Sequence, residues 1–223
     1  VNLGGLIMAN PVTTASGTFA AGREYDQFYN ISNRLGAVTT KGVSLNGWEG
    51  NDSPRIAETP SGMLNSIGLQ NPGVAHLIEH DLAWLEGKGV PVIVNVSGHS
   101  FEEYVSVIEA LEDAKVDAYE INISCPNVDA GGMTMGCHVP SVEAVVTRCR
   151  AVTKRSMIVK LTSNVTDITE IARAAEASGA DAISLINTLL GMAVDAKRRA
   201  PKLARVVGGL SGPAVKPVAL RMV

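Results

Sequence analysis

Six short apolar runs, each ending in or beside a polar residue, recur along this chain with amphipathic stretches between them. That alternation constrains the fold more than any other feature. The runs are residues 11–15, 37–41, 91–96, 118–124, 157–161 and 182–188. Val92-Ile93-Val94 is wholly apolar, as expected of a strand covered on both faces in a parallel sheet. The intervening stretches repeat at helical period. Phe101, Val105, Ile108 and Leu111 share one face of a predicted helix, with Ser100 and Glu103 as a capping box at its start. Val142, Val145, Val146 and Cys149 form a second stripe. Ile168, Ile171, Ala172 and Ala175 form a third, opened by Thr166 or Asp167 and closed by Gly179. Serial units of this kind predict parallel strands joined by right-handed crossovers.

Two architectures use such units, the doubly wound sheet and the eightfold barrel. Lys41, Asn95, Asn122, Lys160 and Asn187 stand at or near the C-terminal ends of different predicted strands, and no early Gly-x-Gly-x-x-Gly occurs. Chemistry spread over many strand ends is the barrel arrangement, whereas a doubly wound sheet gathers its site at one switch point. The expected fold is therefore α/β, a (β/α)8 barrel. Six strands do not close an eightfold barrel, and an open one exposes sheet edges and apolar interior. Residues 212–223 read as the opening of a further helix, with Val215, Ala219 and Met222 facing inward. The expectation is one domain over residues 1–223, truncated after about six strands, its C-terminal part absent from this sequence or its gap covered by another chain.

Composition narrows the function. The formal net charge is -3, and Lys197-Arg198-Arg199 is the one tight basic run, read as a solvated loop or helix end. A nucleic-acid partner is not expected. The three cysteines, Cys125, Cys137 and Cys149, form no C-x-x-C, so no zinc or iron-sulfur site is expected in this chain. An odd cysteine count fits the reducing cytoplasm. No signal peptide and no membrane span are expected, since no run of about 18 apolar residues occurs.

The segment Asn122-Ile123-Ser124-Cys125-Pro126-Asn127 concentrates reactive and hydrogen-bonding side chains at the mouth of a buried strand. Pro126 is expected to end that strand, leaving Cys125 on the following loop. A thiol there is either a base, if its pKa approaches working pH, or an inert small apolar residue. Lys41 and Lys160 end apolar strands, to hold negative charge on a ligand or to make structural ion pairs. Asn65, Asn95, Asn122, Asn127 and Asn187 can both donate and accept. Converging, they suit a planar ligand carrying ring N–H and C=O groups; singly, each is an ordinary loop or cap residue. Asn65 lies in Leu64-Asn65-Ser66-Ile67-Gly68-Leu69, composed as a ligand-clasping loop. Gly208-Gly209, Ser211-Gly212 and the segment around Ser16 present backbone N–H groups to an anion or simply turn. Cys137-His138 lacks an orienting carboxylate and is not read as a nucleophile pair. Cys149 is read as core.

Taken together these segments resemble the class 1B dihydroorotate dehydrogenases, specifically their FMN-binding catalytic subunit. The resemblance runs through residues 10–19 (NPVTTASGTF), 65–72 (NSIGLQNP), 94–98 (VNVSG), 122–128 (NISCPNV), 186–192 (INTLLGM) and 208–221 (GGLSGPAVKPVALR). It implies a (β/α)8 barrel with FMN at its C-terminal mouth. It implies Cys125 as the base that takes the C5 proton of dihydroorotate while the C6 hydride passes to FMN. It implies a substrate site of Lys41, Asn65, Ser66, Ile67, Gly68, Leu69, Asn122, Asn127, Asn187 and Thr188. FMN contacts would come from Ser16, Lys41, Gly42, Asn95, Asn122, Lys160, Ile186 and Gly212. The resemblance also implies a homodimer within a heterotetramer, whose partner subunit carries FAD and a [2Fe-2S] cluster and reduces NAD. Two other readings stay open: a non-catalytic truncated homologue that acts only in an assembly, and a dehydrogenase of another dihydropyrimidine.

Overall fold

The computed structural model describes residues 1–124, 126–127 and 133–223. Its centre is a parallel sheet of β1 (Val38–Thr39), β2 (Val92–Val96), β3 (Ala118–Asn122), β4 (Ser156–Lys160) and β5 (Ala182–Ser184), neighbours in sequence order across the sheet. A parallel bridge from Thr13 to Ala37 sets the preceding segment beside β1. The six predicted runs thus lie side by side in chain order. A doubly wound sheet would reverse direction partway, so this is an arc of barrel wall, part of a (β/α)8 barrel. Run boundaries change: the 37–41 run is a strand only over Val38–Thr39, and the 91–96 and 157–161 runs shift by one residue to Val92–Val96 and Ser156–Lys160. Residues 11–15 contribute one bridge and no strand, the 118–124 run stops pairing at Asn122, and the 182–188 run stops at Ser184. Pro126 does not end β3; Pro126–Asn127 begins a separate short hairpin with Met133–Thr134.

Strand periodicity of two explains how this arc makes a site. On the outer face Val94, Val96, Tyr119, Ile121, Met157 and Val159 join the helices in the main core. On the inner face Ile93, Ala118 and Ile158 pack with Ala37, Leu6 and Met8 as an apolar floor. The hairpin of Asn2–Leu3 with Leu6–Ile7 supplies that underside. Two residues onward, the same inner face carries Asn95, Glu120 and Lys160, and then Ser97 and Asn122. Register aligns Asn95 with Glu120 and Asn122 with Lys160.

Helices cover the outside. α1 spans residues 74–86 and widens to a π-helical turn over Leu77–Leu82. α2 (Phe101–Leu111) buries Tyr104, Val107, Ile108 and Leu111. The predicted face is thus rotated: Val105 is only half-buried, because Tyr104, whose hydroxyl reaches the Asn122 carbonyl at 2.6 Å, takes the inward position. Ser100 Oγ accepts from the Glu103 N–H, while Glu103 reaches back to the N–H of His99, a capping box shifted by one residue. α3 (Val139–Val152) buries all four predicted stripe residues, Val142, Val145, Val146 and Cys149. α4 (Ile168–Ala177) is capped by Asp167, which accepts from the Thr169 N–H; Ile171, Ala174 and Ala175 are its buried residues. α5 (Lys216–Met222) follows the last strand, as expected.

One layer has no counterpart in the sequence reading. A four-stranded antiparallel sheet runs in the order Leu189–Met192, Val207–Ser211, Gly62–Asn65, Ile56–Thr59. Gly208 and Gly209 are therefore in an inner strand, paired on both sides, and not in a turn. Their lack of side chains permits close approach. A Cβ at Gly209 would stand 2.0 Å from Thr188 Oγ1, and one at Gly208 2.7 Å from the Asn65 carbonyl oxygen. Two predicted site residues are thereby brought under one strand.

Candidate functional site at the C-terminal ends of the strands

The polar side chains of the inner face form one connected layer. Glu120 is 7% exposed. It accepts from Asn95 Nδ2 across the β2–β3 pair and from Ser184 Oγ at 2.8 Å, two strands away. Above it, Asn122 Oδ1 accepts from Asn187 Nδ2 at 3.2 Å and from the Ser124 N–H at 3.3 Å. Asn122 Nδ2 donates to Ser97 Oγ at 3.5 Å. Asn187 is held over β4 by its N–H to the Leu161 carbonyl, 2.9 Å, and its Oδ1 accepts from the Thr188 N–H at 2.8 Å. Lys160 donates to Ser16 Oγ at 3.1 Å, and among the described residues no carboxylate pairs with it. Lys41 follows β1, half-buried.

The 65–71 segment closes one side. Asn65 ends the strand Gly62–Asn65 and donates to the Gly209 carbonyl at 3.3 Å, so it is a strand residue and only Ser66 to Leu69 form the loop. Gly68 has φ +75°, and a Cβ there would meet the Asn51 backbone nitrogen at 2.7 Å. Asn71, 6% exposed, fastens this loop to the end of β1. Its Oδ1 accepts from the N–H groups of Ser44 and Gly73, and its Nδ2 donates to the Leu69 carbonyl at 2.8 Å.

Buried polar side-chain atoms are almost always hydrogen-bonded. Among the described residues the exceptions are Ser66 Oγ, Asn95 Oδ1 and Ser124 Oγ, and all three belong to this mouth. Gly42 stands against one of them: a Cβ there would lie 2.6 Å from Asn95 Oδ1. An unsatisfied acceptor, an ammonium donating to a hydroxyl, and an amide pair suit a planar ring with N–H, C=O and developing negative charge. FMN fits that donor set. Gly212, with φ +100°, sits where a Cβ would strike Gly62 Cα at 2.7 Å, so close packing alone accounts for glycine there.

Thus Lys160 with Ser16, Asn122 with Asn187, and Asn65 beneath Thr188 and Gly209 come together. Lys41, Gly42 and Ile186 follow neighbouring strands at the same end, and Asn95 lies near the end of β2. Cys125 lies outside the described residues, and Asn127 is described only as a backbone position in its short hairpin. Cys137 does not meet His138: the thiol contacts the Asn164 carbonyl at 3.5 Å, and the ring faces Ser141 Oγ. Partial burial also holds the Cys137 thiol above its ordinary pKa, the wrong direction for a nucleophile. Glu120, Asn71 and Ser97 were missed. Glu120 had a signal, a lone charge inside the run Ala118-Tyr119-Glu120-Ile121.

A family model described as dihydroorotate dehydrogenase matches residues 1–223. A protein of Alkaliphilus metalliredigens named dihydroorotate dehydrogenase B (NAD(+)), catalytic subunit, is 57% identical over 223 residues, which is 100% of this chain and 74% of the relative. A protein of the same name from Bacteroides thetaiotaomicron is 55% identical over 224 residues, with 100% and 74% covered. A barrel wall with lysines and amides gathered at its strand ends, matched along its whole length by one family, has one consistent assignment: the chain belongs to the dihydroorotate dehydrogenase family.

Proposed function

We propose that this chain oxidises (S)-dihydroorotate to orotate in pyrimidine (UMP) synthesis and passes the electrons through a partner subunit to NAD. The observation that carries the reading is the cluster at the mouth: Asn122 bound to Asn187, Lys160 beside Ser16, and the unsatisfied Asn95 Oδ1. FMN, when bound, supplies the acceptor for the C6 hydride, the protein contributing position and charge. Ser16, Gly42, Asn95, Lys160, Ile186 and Gly212 would hold it, with Lys41 and Asn122 reaching both ligands. Lys160 would stabilise negative charge on the ring, and Lys41 would bind the substrate carboxylate. The amides of Asn65, Asn122, Asn127 and Asn187, with Thr188 and the Ser66–Leu69 loop, would match the substrate ring's N–H and C=O groups. Cys125, directly after Ser124 in the chain, would take the C5 proton. These two transfers occur at adjacent carbons, so placement within a fraction of an ångström governs the rate.

The family's name for the relatives, a catalytic subunit of an NAD(+) enzyme, supports an electron-transfer partner. We assign FAD and [2Fe-2S] to that partner, in a heterotetramer built on a homodimer of this chain. Among the described residues no helix is long and apolar enough to cross a membrane, and the reading sets the enzyme in the cytoplasm. The test is anaerobic mixing of the flavin-loaded protein with dihydroorotate, following loss of flavin absorbance. Cys125→Ser should retain FMN but slow bleaching by about 100-fold or more at neutral pH, the size of a lost general base. Bleaching at the wild-type rate across pH would refute the base role, and bleaching by dihydrouracil in preference to dihydroorotate would refute the substrate.

A further inference from the structure

Glu120 is a buried carboxylate that the reaction does not use. Among the described residues it has no cationic partner, and its two contacts are the Asn95 amide and the Ser184 hydroxyl. A buried carboxyl group is satisfied only through such hydrogen bonds, so where it stands fixes how its neighbours turn. Its chemistry decides one thing. The Asn95 group facing it is the NH2, which donates to Glu120 Oε2. The other end of the amide, Oδ1, is then turned away, fully buried and without a partner among the described residues, beside the bare Cα of Gly42. The Asn95 N–H donates to Thr40 Oγ1 at 3.4 Å and its carbonyl accepts from the Val43 N–H at 2.9 Å, while the Ser97 hydroxyl receives Asn122 Nδ2.

We propose that Glu120 is a positioning residue that orients the Asn95 amide with its carbonyl toward the mouth, so that the site offers an acceptor to a ring N–H of the flavin. Through Ser184 the same carboxylate ties β5 to β2 and β3, keeping this acceptor in register with Lys160 on the strand between. The proposal rests on the flavin reading above and deepens it by naming what the site demands of the ring: a donor at that point.

The experiment measures FMN affinity by fluorescence quenching in the full chain, for wild type, Glu120→Met, Asn95→Ala and the double variant, with thermal unfolding recorded for each. Glu120→Met should weaken FMN about tenfold, the cost of one buried hydrogen bond, in the wild-type background. In the Asn95→Ala background it should cost under about twofold, since the amide it orients is gone. Glu120→Gln should stay within about threefold of wild type, its amide accepting from Asn95 and donating to the Ser184 hydroxyl. Equal losses from Glu120→Met in both backgrounds would overturn the role. A wild-type chain that takes no FMN would instead refute the flavin reading itself. Should Glu120→Met fail to fold, the exchange of Asn95→Asp with Glu120→Gln decides. Asn95→Asp alone sets two carboxylates face to face and should lose FMN. Adding Glu120→Gln lets an amide donate to the introduced carboxylate, returns an acceptor to the mouth, and should recover affinity. A folded exchange variant without that recovery would overturn the proposal.

Discussion

Asn71→Ala tests whether the loop beside the mouth is held by one side chain. Asn71 Oδ1 accepts from the Ser44 N–H at 3.2 Å and the Gly73 N–H at 3.0 Å, and Nδ2 donates to the Leu69 carbonyl at 2.8 Å. Ser44 and Gly73 are buried, so their N–H groups lose their partner with no water to replace it. Each such orphan costs about 1–3 kcal/mol. The Leu69 carbonyl sits in a half-buried loop and rehydrates at little cost. Two orphans, with some relaxation, give about 3 kcal/mol of lost stability, measurable as a lower midpoint in urea at unchanged slope. The functional effect is separable. Releasing Leu69 frees the Ser66–Leu69 loop from the end of β1, and one anchoring bond of about 1 kcal/mol corresponds to about a fivefold rise in KM for dihydroorotate. FMN affinity should move far less, because the loop lies on the proposed substrate side. A loss below about 1 kcal/mol together with an unchanged KM would refute the anchor.

Two further expectations concern titration. Burial pushes the Cys149 thiol up to about 12 from the ordinary 9.0, so the native protein should leave Cys149 unmodified by a maleimide at pH 8 while Cys137 reacts, read by peptide mass. Because the folded value is the higher, the stability linked to a neutral Cys149 is whole below about pH 9 and declines as pH rises toward about 12; Cys149→Ala should flatten that alkaline loss. The carboxyl of Asp26 is held below its ordinary 3.8 chiefly by its hydrogen bond from Lys88. Its contribution is therefore present above the unfolded carboxylate range and is lost as pH falls through the lower folded value. Asp26→Asn should remove that part of the acid slope in thermal unfolding, and an unchanged slope would count against the pair.

The helices were legible because their signal is local. Val142, Val145, Val146 and Cys149 repeat at helical spacing and all four are fully buried. α2 was legible in place but not in rotation, since an aromatic with a hydroxyl, Tyr104, looked less apolar than Val105 and yet points inward to bond the Asn122 carbonyl. Strand positions were visible as apolar runs, but their ends were not. At the ends of β3 and β5 the chain leaves the sheet while its residues still read as strand-forming, because the ladder there stops for reasons of neighbouring strands and not of composition. The antiparallel sheet was invisible for a similar reason. Its strand Gly62–Asn65 pairs with Val207–Ser211, a long-range match of short, glycine-bearing segments that carry no local periodicity.

The same distinction separates the site residues that were seen from those that were not. Lys160, Asn122 and Asn187 interrupt apolar runs at their ends, where a polar side chain is hard to explain as packing. Asn71 sits among loop residues and looks like any turn former, although it is more buried than its neighbours Gln70 and Pro72. Glu120 is the instructive case. Period two alone assigns it to the inner face, between Ala118 in the floor and Asn122 at the mouth. A carboxylate at that height is neither packing nor surface. Its meaning depends on Asn95, which stands directly opposite only because β2 and β3 are paired in one register. A slip of one residue would turn Glu120 outward among the helices and leave Val94 or Val96 facing it. The pairing of two strands thus determines which atom of Asn95 faces the mouth, and the recognition chemistry of the site is inseparable from the register of the barrel wall.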